Sequence, residues 1–135
     1  MIDTGILIAN YSAPDVNHGR AVELVNEVAR GIHGRAYITD YIFSETLNFV
    51  VNRSRNPKKA DEVARDLLGE QGDPWLDFAW IDEGTWRIAR DRFRLLSLAG
   101  MSFTDCTSFA FVERNRLAAI MSFDAGFDRV VTRLH

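Results

Sequence analysis

The segment Met101–Asp128, MSFTDCTSFAFVERNRLAAIMSFDAGFD, sets two carboxylates at the ends of neighbouring elements. Asp105 stands at the start of a helical pattern, and Asp124 follows a short apolar run that predicts a strand. A helix N-terminus and a strand C-terminus joined by one short turn can present both acids at the same end of a molecule. This segment therefore predicts an alternating α/β fold with acids gathered at one edge.

The composition of the chain indicates one globular domain. The 135 residues are 47% hydrophobic and 26% charged, so a single domain over residues 1–135 is expected. No apolar run approaches the ~20 residues of a membrane span, and no secretory signal is visible. Cys106 is the single cysteine, which excludes an internal disulfide and fits a cytoplasmic protein.

The charge distribution offers one candidate surface for nucleic acid. A net charge of −3 argues against a dedicated nucleic-acid coat protein. Basic residues nevertheless cluster at Arg53, Arg55, Lys58 and Lys59, and such side chains contact phosphate well. For most of the remaining arginines, solvated helix faces and ion pairs are the favoured interpretation.

Helix and strand signals alternate along the chain. Strands are predicted over 36–39, 76–81 and 118–122, with a last short strand in the tail 129–135 and a loop over 69–74. Helices are predicted to begin at Asp15 or Asn17, at Thr39 or Asp40, at Asn56-Pro57, at Asp82, and at Ser102 or Thr104. Residues 6–9 fit either a strand or a helix. Alternation implies parallel pairing and a three-layer α/β/α sandwich with a central, mainly parallel sheet.

Two further acids belong with Asp105 and Asp124. Asp3 interrupts an apolar run and Glu45 lies among apolar residues of a predicted helix; a buried carboxylate is costly unless it is paired or bound to metal. Ligands bind beyond the carboxyl ends of parallel strands, so the four acids are expected to converge and to gather a cation such as Mg²⁺. Hydroxyl groups flank them at Thr4, Ser102, Thr104 and Ser122.

Each acid also has a structural interpretation. Asp105 can complement a helix dipole, Asp124 can be a turn residue or helix cap, Glu45 can face solvent, and Asp3 can cap a helix. One acid alone would more often be structural than functional. Four acids at equivalent ends of their elements favour a functional site.

The order of these motifs resembles the PIN-domain ribonucleases, in particular the VapC-type toxins of toxin–antitoxin pairs. The resemblance rests on Ile2-Asp3-Thr4, Ser44-Glu45-Thr46, Phe103-Thr104-Asp105-Cys106 and Ser122-Phe123-Asp124, with further likeness around Asp15, Asn17, His18 and Ala21. It spans essentially the whole chain, and the order of the motifs is more specific than any single one.

The resemblance implies an endoribonuclease that depends on Mg²⁺ or Mn²⁺, with Asp3, Glu45, Asp105 and Asp124 as the catalytic, metal-binding acids. Thr4, Thr104 and Ser122 would support them. Asp128 is either an additional member or a surface residue after a turn. The implied chemistry is hydrolysis of an RNA phosphodiester by metal-activated water, which leaves a 5′-phosphate and a 3′-hydroxyl. Gly5 departs from the family, whose members usually carry Ser or Asn there, and this predicts weaker metal binding.

The resemblance also implies partners. They are an RNA substrate, a second copy of the chain in a homodimer with an RNA groove, and a cognate antitoxin. The face carrying Phe43, Phe49, Val50 and Val51 either contacts such a partner or fills the core. The alternatives to a toxin are a catalytically weak or inactive RNA- or protein-binding module, a non-toxin RNA-processing nuclease, and an aspartyl phosphatase. The phosphatase would need a second Asp at the position of Gly5.

Overall fold

A computed structural model describes residues 1–72 and 74–135, except the side chains of Ala99 and Arg129. The predicted loop over residues 69–74 includes Asp73, which lies outside the described residues. The helices are α1 (Thr4–Tyr11), α2 (His18–Ala29), α3 (Asp40–Ser54), α4 (Pro57–Leu67), α5 (Glu83–Leu96) and α6 (Phe103–Arg114). The strands are β1 (Tyr37–Thr39), β2 (Asp77–Ala79), β3 (Ile120–Met121) and β4 (Arg133–Leu134), and two 3₁₀ helices span Ser97–Ala99 and Ala125–Arg129.

The strands form two parallel ladders that meet at the first residues of the chain. β1 pairs with β2 and β3 pairs with β4, both in parallel. Ile2 forms a parallel bridge with Met121, and its N–H donates to the carbonyl of Tyr37 at 2.9 Å. The spatial order is therefore β2–β1–Ile2–β3–β4, which confirms the prediction of a mainly parallel sheet. The carboxyl ends of these segments share one edge, as the site requires.

The opening apolar run is a helix, which settles the ambiguity of residues 6–9. Asp3 has extended backbone angles (φ −82°, ψ 155°) and caps α1, where its side chain accepts a hydrogen bond from the N–H of Thr4. An acid at this position satisfies a free helical N–H group and ends the extended segment at once. Only Ile2 is left to bridge the neighbouring strands.

Most predicted helix starts are confirmed by side-chain caps. Thr39, Asn56, Asp82 and Ser102 each accept a backbone N–H at the start of α3, α4, α5 and α6. Asn17 holds the N-cap position of α2 without a side-chain bond. Gly31, Gly69 and Gly100 follow helix ends with positive φ, a backbone region that glycine enters without steric cost.

The core lies between the sheet and helices on its two faces. α1 contacts α2 and α3, α3 contacts α4, and α5 packs on α6. The largest fully buried apolar side chains come from the sheet and from both helical layers: Ile2, Ile6, Leu7, Leu24, Ile38, Ile42, Leu67, Phe109, Ile120 and Phe127. This is the predicted three-layer α/β/α sandwich. Among the described residues, no helix combines the length and apolar character needed to cross a bilayer.

The predicted apolar face of α3 is divided between core and surface. Val50 is buried and Phe43 packs edge-on against Phe78, with ring centroids 5.5 Å apart. Phe49 and Val51 are exposed. Part of the face therefore fills the core, and contact of the exposed part with a partner stays a prediction.

Candidate active site

Asp3 is buried at the carboxyl edge of the sheet and fully engaged in hydrogen bonds. Its Oδ1 accepts from the backbone N–H of Thr4 at 2.8 Å, and its Oδ2 accepts from the hydroxyl of Ser122 at 2.7 Å. Only 7% of the residue is exposed. α1 and the end of β3 thus hold this carboxylate from two sides.

The electrostatic environment of Asp3 links it to two other acids. Burial, with smaller contributions from the negative charges of Asp105 and Glu45, raises the pKa of Asp3 to about 6 against the opposing hydrogen bonds from Ser122 and Thr4. Like charges raise a carboxyl pKa only when they are close. Three of the four predicted acids therefore act on the same small region.

Glu45 reaches this region through Thr4. The hydroxyl of Thr4 donates to Oε2 of Glu45 at 2.7 Å, while the backbone N–H of the same threonine donates to Asp3. One residue at the start of α1 thus orients an acid on its own segment and an acid on α3. This geometry agrees with the supporting role predicted for Thr4.

Asp105 lies at the start of α6 in a capping box with Ser102. Its Oδ2 accepts from the Ser102 N–H at 2.7 Å, and its own N–H donates to Oγ of Ser102 at 3.1 Å. Among the described residues, its Oδ1 has no hydrogen-bond partner and can serve a ligand. Thr104 is partly buried beside it, and its carbonyl accepts from Thr107 at 2.7 Å.

Asp124 is connected to Asp3 through Ser122. Besides its bond to Asp3, the buried Ser122 hydroxyl accepts from the N–H of Asp124 at 3.0 Å. The carboxylate of Asp124 caps the following 3₁₀ helix, where Oδ1 accepts from the N–H of Gly126 at 2.7 Å. Asp124 is exposed. The structural interpretations of Asp105 and Asp124 as capping residues are confirmed, and their role in a functional site stays a prediction.

Two predicted sets of residues lie apart from the acids. Asp128 pairs with Arg133 through both carboxylate oxygens at 2.6 and 3.0 Å, and this hydrogen bonding lowers its pKa. The predicted RNA-contact residues Arg53, Arg55, Lys58 and Lys59 lie at the end of α3 and the start of α4. Arg53 follows Glu45 by eight residues on α3, which corresponds to about 12 Å along the helix axis.

The donor set fits a hard divalent cation that retains water. Within residues 1–72 and 74–135, no three His, Cys, Asp or Glu side chains are grouped tightly enough to enclose an ion by themselves. Mg²⁺ commonly takes one or two carboxylates and keeps several waters. A cation held there would take oxygens of Asp105 and Asp124 that have no partner among the described residues, and water would complete its coordination.

Arg133 is a residue near the site that the sequence did not single out. Its side chain is only 10% exposed, and its Nη1 donates to the carbonyl of Ser122 at 3.1 Å. The pairing depends on the register of β4 beside β3, which no periodicity in a two-residue strand can reveal. The only available signal was an arginine in the predicted tail strand.

Comparisons with known proteins agree with this geometry. The family model described as PIN domain matches residues 1–132. A VapC ribonuclease of Archaeoglobus fulgidus is 31% identical over 128 residues, which cover 94% of this chain and 78% of that protein. The crystal structure of Mycobacterium tuberculosis VapC20, described as a toxin that cleaves the sarcin–ricin loop, superposes with a TM-score of 0.79 at 19% identity, covering 95% of this chain and 92% of that one.

The structural likeness at 19% identity supports the fold alone, whereas the sequence matches cover nearly the whole chain. Asp3 and Asp124 follow Ile2 and β3 at the carboxyl edge of the sheet, and the pKa of Asp3 responds to Asp105 and Glu45. The chain therefore belongs to the PIN-domain family and is a relative of the VapC ribonucleases.

Proposed function

We propose that this protein is a metal-dependent endoribonuclease and the toxin of a toxin–antitoxin pair. The observation that carries the proposal is the buried Asp3 with its pKa raised to about 6 by burial and by Asp105 and Glu45. A fold has little structural reason to hold several acids together, whereas perturbed pKa values are common at functional sites. The relationship to a VapC ribonuclease supports RNA as the substrate.

The catalytic acids are Asp3, Glu45, Asp105 and Asp124, and the cofactor is Mg²⁺ or Mn²⁺. When bound, such an ion activates water and neutralises the charge that develops on a phosphate in the transition state. The chain supplies the placement: Thr4 orients Asp3 and Glu45, while Ser122 orients Asp3 and the backbone of Asp124. Asp3 is anionic at neutral pH because its pKa remains below 7.

The basic cluster extends the proposed site toward RNA. Arg53 and Lys59 border a shallow pocket between α1, α3 and α4, together with Phe49 and Tyr11. Arg53 lies about 12 Å from Glu45 along the axis of α3, a distance that phosphate groups flanking the cleaved bond can span. RNA binding should then weaken as the salt concentration is raised. Arg55 follows the end of α3, and Lys58 lies in the first turn of α4.

Protein partners follow from the same proposal. The exposed Phe49 and Val51 on α3 offer apolar contact area to a cognate antitoxin, and a basic antitoxin side chain near the acids would compete with the metal by charge. A homodimer would set two acid sites beside one RNA groove. Sedimentation of the protein alone and with the product of an adjacent gene tests both associations.

RNA cleavage with a matched pair of acid variants tests the enzymatic activity. Purified protein is incubated with structured RNA in Mg²⁺, Mn²⁺ or EDTA. Asp105→Asn removes a proposed catalytic charge and should abolish most cleavage while the fold is retained. Asp61→Asn removes an exposed α4 carboxylate that pairs with Arg65 and should cleave like the wild type.

Two results would overturn the proposal. One is cleavage that persists in EDTA, and the other is cleavage that survives Asp105→Asn. A wild type that binds Mn²⁺ and RNA but never cuts would instead identify the catalytically weak module, which the lack of a polar side chain at Gly5 beside Asp3 favours.

A further inference from the structure

Arg133 is an enclosed charged side chain outside the four acids. Its side chain is about nine-tenths buried and makes three hydrogen bonds, two to Asp128 and one to the carbonyl of Ser122. Exposed ion pairs contribute little because two flexible side chains must be fixed in water. A desolvated guanidinium with a bidentate carboxylate is geometrically defined, so this one can hold other groups in place.

The group that Arg133 holds is Ser122. Residues of β4 form hydrogen bonds with both backbone groups of this serine. The Leu134 carbonyl accepts from the Ser122 N–H at 3.0 Å, and Arg133 donates to the Ser122 carbonyl. The Ser122 hydroxyl then donates to Asp3 and accepts from the N–H of Asp124. A continuous series of contacts therefore runs from Asp128 to the buried acid at the other end of the chain.

We propose that Arg133, clamped by Asp128, is a positioning residue that fixes Ser122 and thereby holds Asp3 and Asp124 in the geometry that binds the metal. The inference rests on the proposed function, and it assigns Asp128 to orientation rather than to metal contact. The guanidinium also lies near enough to Asp124 to interact with its charge. Position and charge therefore need to be separated by experiment.

The substitution Arg133→Lys makes that separation. Arg133→Lys keeps the positive charge but cannot form the planar bidentate pair and the third bond together. If position matters, Mn²⁺ affinity should fall about tenfold or more, as for other residues that orient metal ligands, and Arg133→Gln should show a similar loss. Asp128→Asn removes half of the clamp and should give a smaller loss in the same direction.

Arg35 provides a matched control. It pairs with Asp77, the first residue of β2, at 2.9 Å, and its side chain is 74% exposed. Arg35→Gln removes an Arg–Asp ion pair at the amino-terminal end of β1 and β2. Mn²⁺ affinity should stay at the wild-type value. Circular dichroism establishes that each variant is folded before its affinity is compared.

The measurements are Mn²⁺ titration by electron paramagnetic resonance and hydrogen exchange of the Asp124 amide in metal-free protein. Arg133→Lys should weaken Mn²⁺ binding and speed exchange at Asp124, because the Ser122 hydroxyl that accepts this N–H loses its anchor. The inference is overturned if Arg133→Lys binds Mn²⁺ with the affinity of the wild type and its Asp124 amide exchanges at the wild-type rate. If wild type cleaves RNA in that case, the proposed function stands; if wild type neither binds Mn²⁺ nor cleaves, both fail.

Discussion

Replacement of Asp3 by Asn should stabilise the metal-free protein while it destroys the metal site. The side chain is buried beside two other acids, and its pKa rises from an ordinary value of 3.8 to about 6. In metal-free protein at neutral pH, the negative charge of Asp3 therefore destabilises the folded state. Asn keeps the shape and the helix-capping ability of Asp without that charge.

The pKa shift sets the size of the effect. A rise of about 2 pH units at 1.36 kcal/mol per unit makes the charged form about 3 kcal/mol less favourable for folding. The amide of Asn must turn its NH₂ toward either Thr4 N–H or the Ser122 hydroxyl, and we allow about 1 kcal/mol for that mismatch. The expected net gain is about 2 kcal/mol at pH 7.5, or roughly 6–10 °C in Tm for a domain of this size.

The sign of the pH dependence provides an internal check. Between pH 3.8 and about 6, folded Asp3 holds a proton that the unfolded chain has released, so wild-type stability falls as pH rises through this window and is level above it. At pH 5 the charge penalty is about half its full value, and Asp3→Asn should exceed wild type by less than about 1 kcal/mol.

Thermal melts in EDTA at pH 5 and pH 7.5 measure both quantities, with Asp61→Asn as the exposed-acid control. Added Mg²⁺ should raise the Tm of wild type but leave that of Asp3→Asn unchanged. An Asp3→Asn protein that is less stable than wild type at pH 7.5, or an advantage that does not shrink at pH 5, would refute the reasoning.

Three smaller changes test neighbouring contacts. A Cβ at Gly5 would lie 3.5 Å from Oδ2 of Asp3, an ordinary contact, so Gly5→Ser should fit, add about 0.5 kcal/mol of helix stability and tighten Mg²⁺ binding by calorimetry relative to Gly5→Ala. Ser122→Ala leaves Asp3 with one donor fewer and should cost about 1.5–3 kcal/mol in urea unfolding, a loss that Ser122→Thr should lessen. Tyr11→Phe removes the hydroxyl that donates to Asp66 across α1 and α4; it should cost about 1–2 kcal/mol in the same assay.

Local chemistry made much of the fold predictable. Thr39, Asn56, Asp82 and Ser102 cap their helices because each carries an oxygen that accepts a free N–H, and this requirement is local in sequence. The opening run was ambiguous because local chemistry fits both a strand and a helix there. Asp3 ends the extended segment and also caps α1. Only contacts with the surrounding sheet decide whether the next residues form a strand or a helix.

The candidate site was predictable by residue type but not by contact. Four acids at element ends indicated convergence, yet Asp3 and Ser122 are 119 positions apart, and no spacing rule connects them. Arg133 was missed because its partners depend on how β4 aligns with β3. Asp128 was weighed as an additional site residue, and its actual partner lies five positions further along the chain.

The central place of Ile2 in the sheet has a consequence for synthesis. Ile2 bridges Met121, and Asp3 receives its hydrogen bond from Ser122, so Asp3 must wait during translation for a partner that is made 119 residues later. At about 5–20 residues per second, that wait lasts roughly 6–24 s. A fragment released before Ser122 leaves Asp3 without this donor and lacks Asp124 altogether. The four acids can therefore assemble only after translation has reached Asp124.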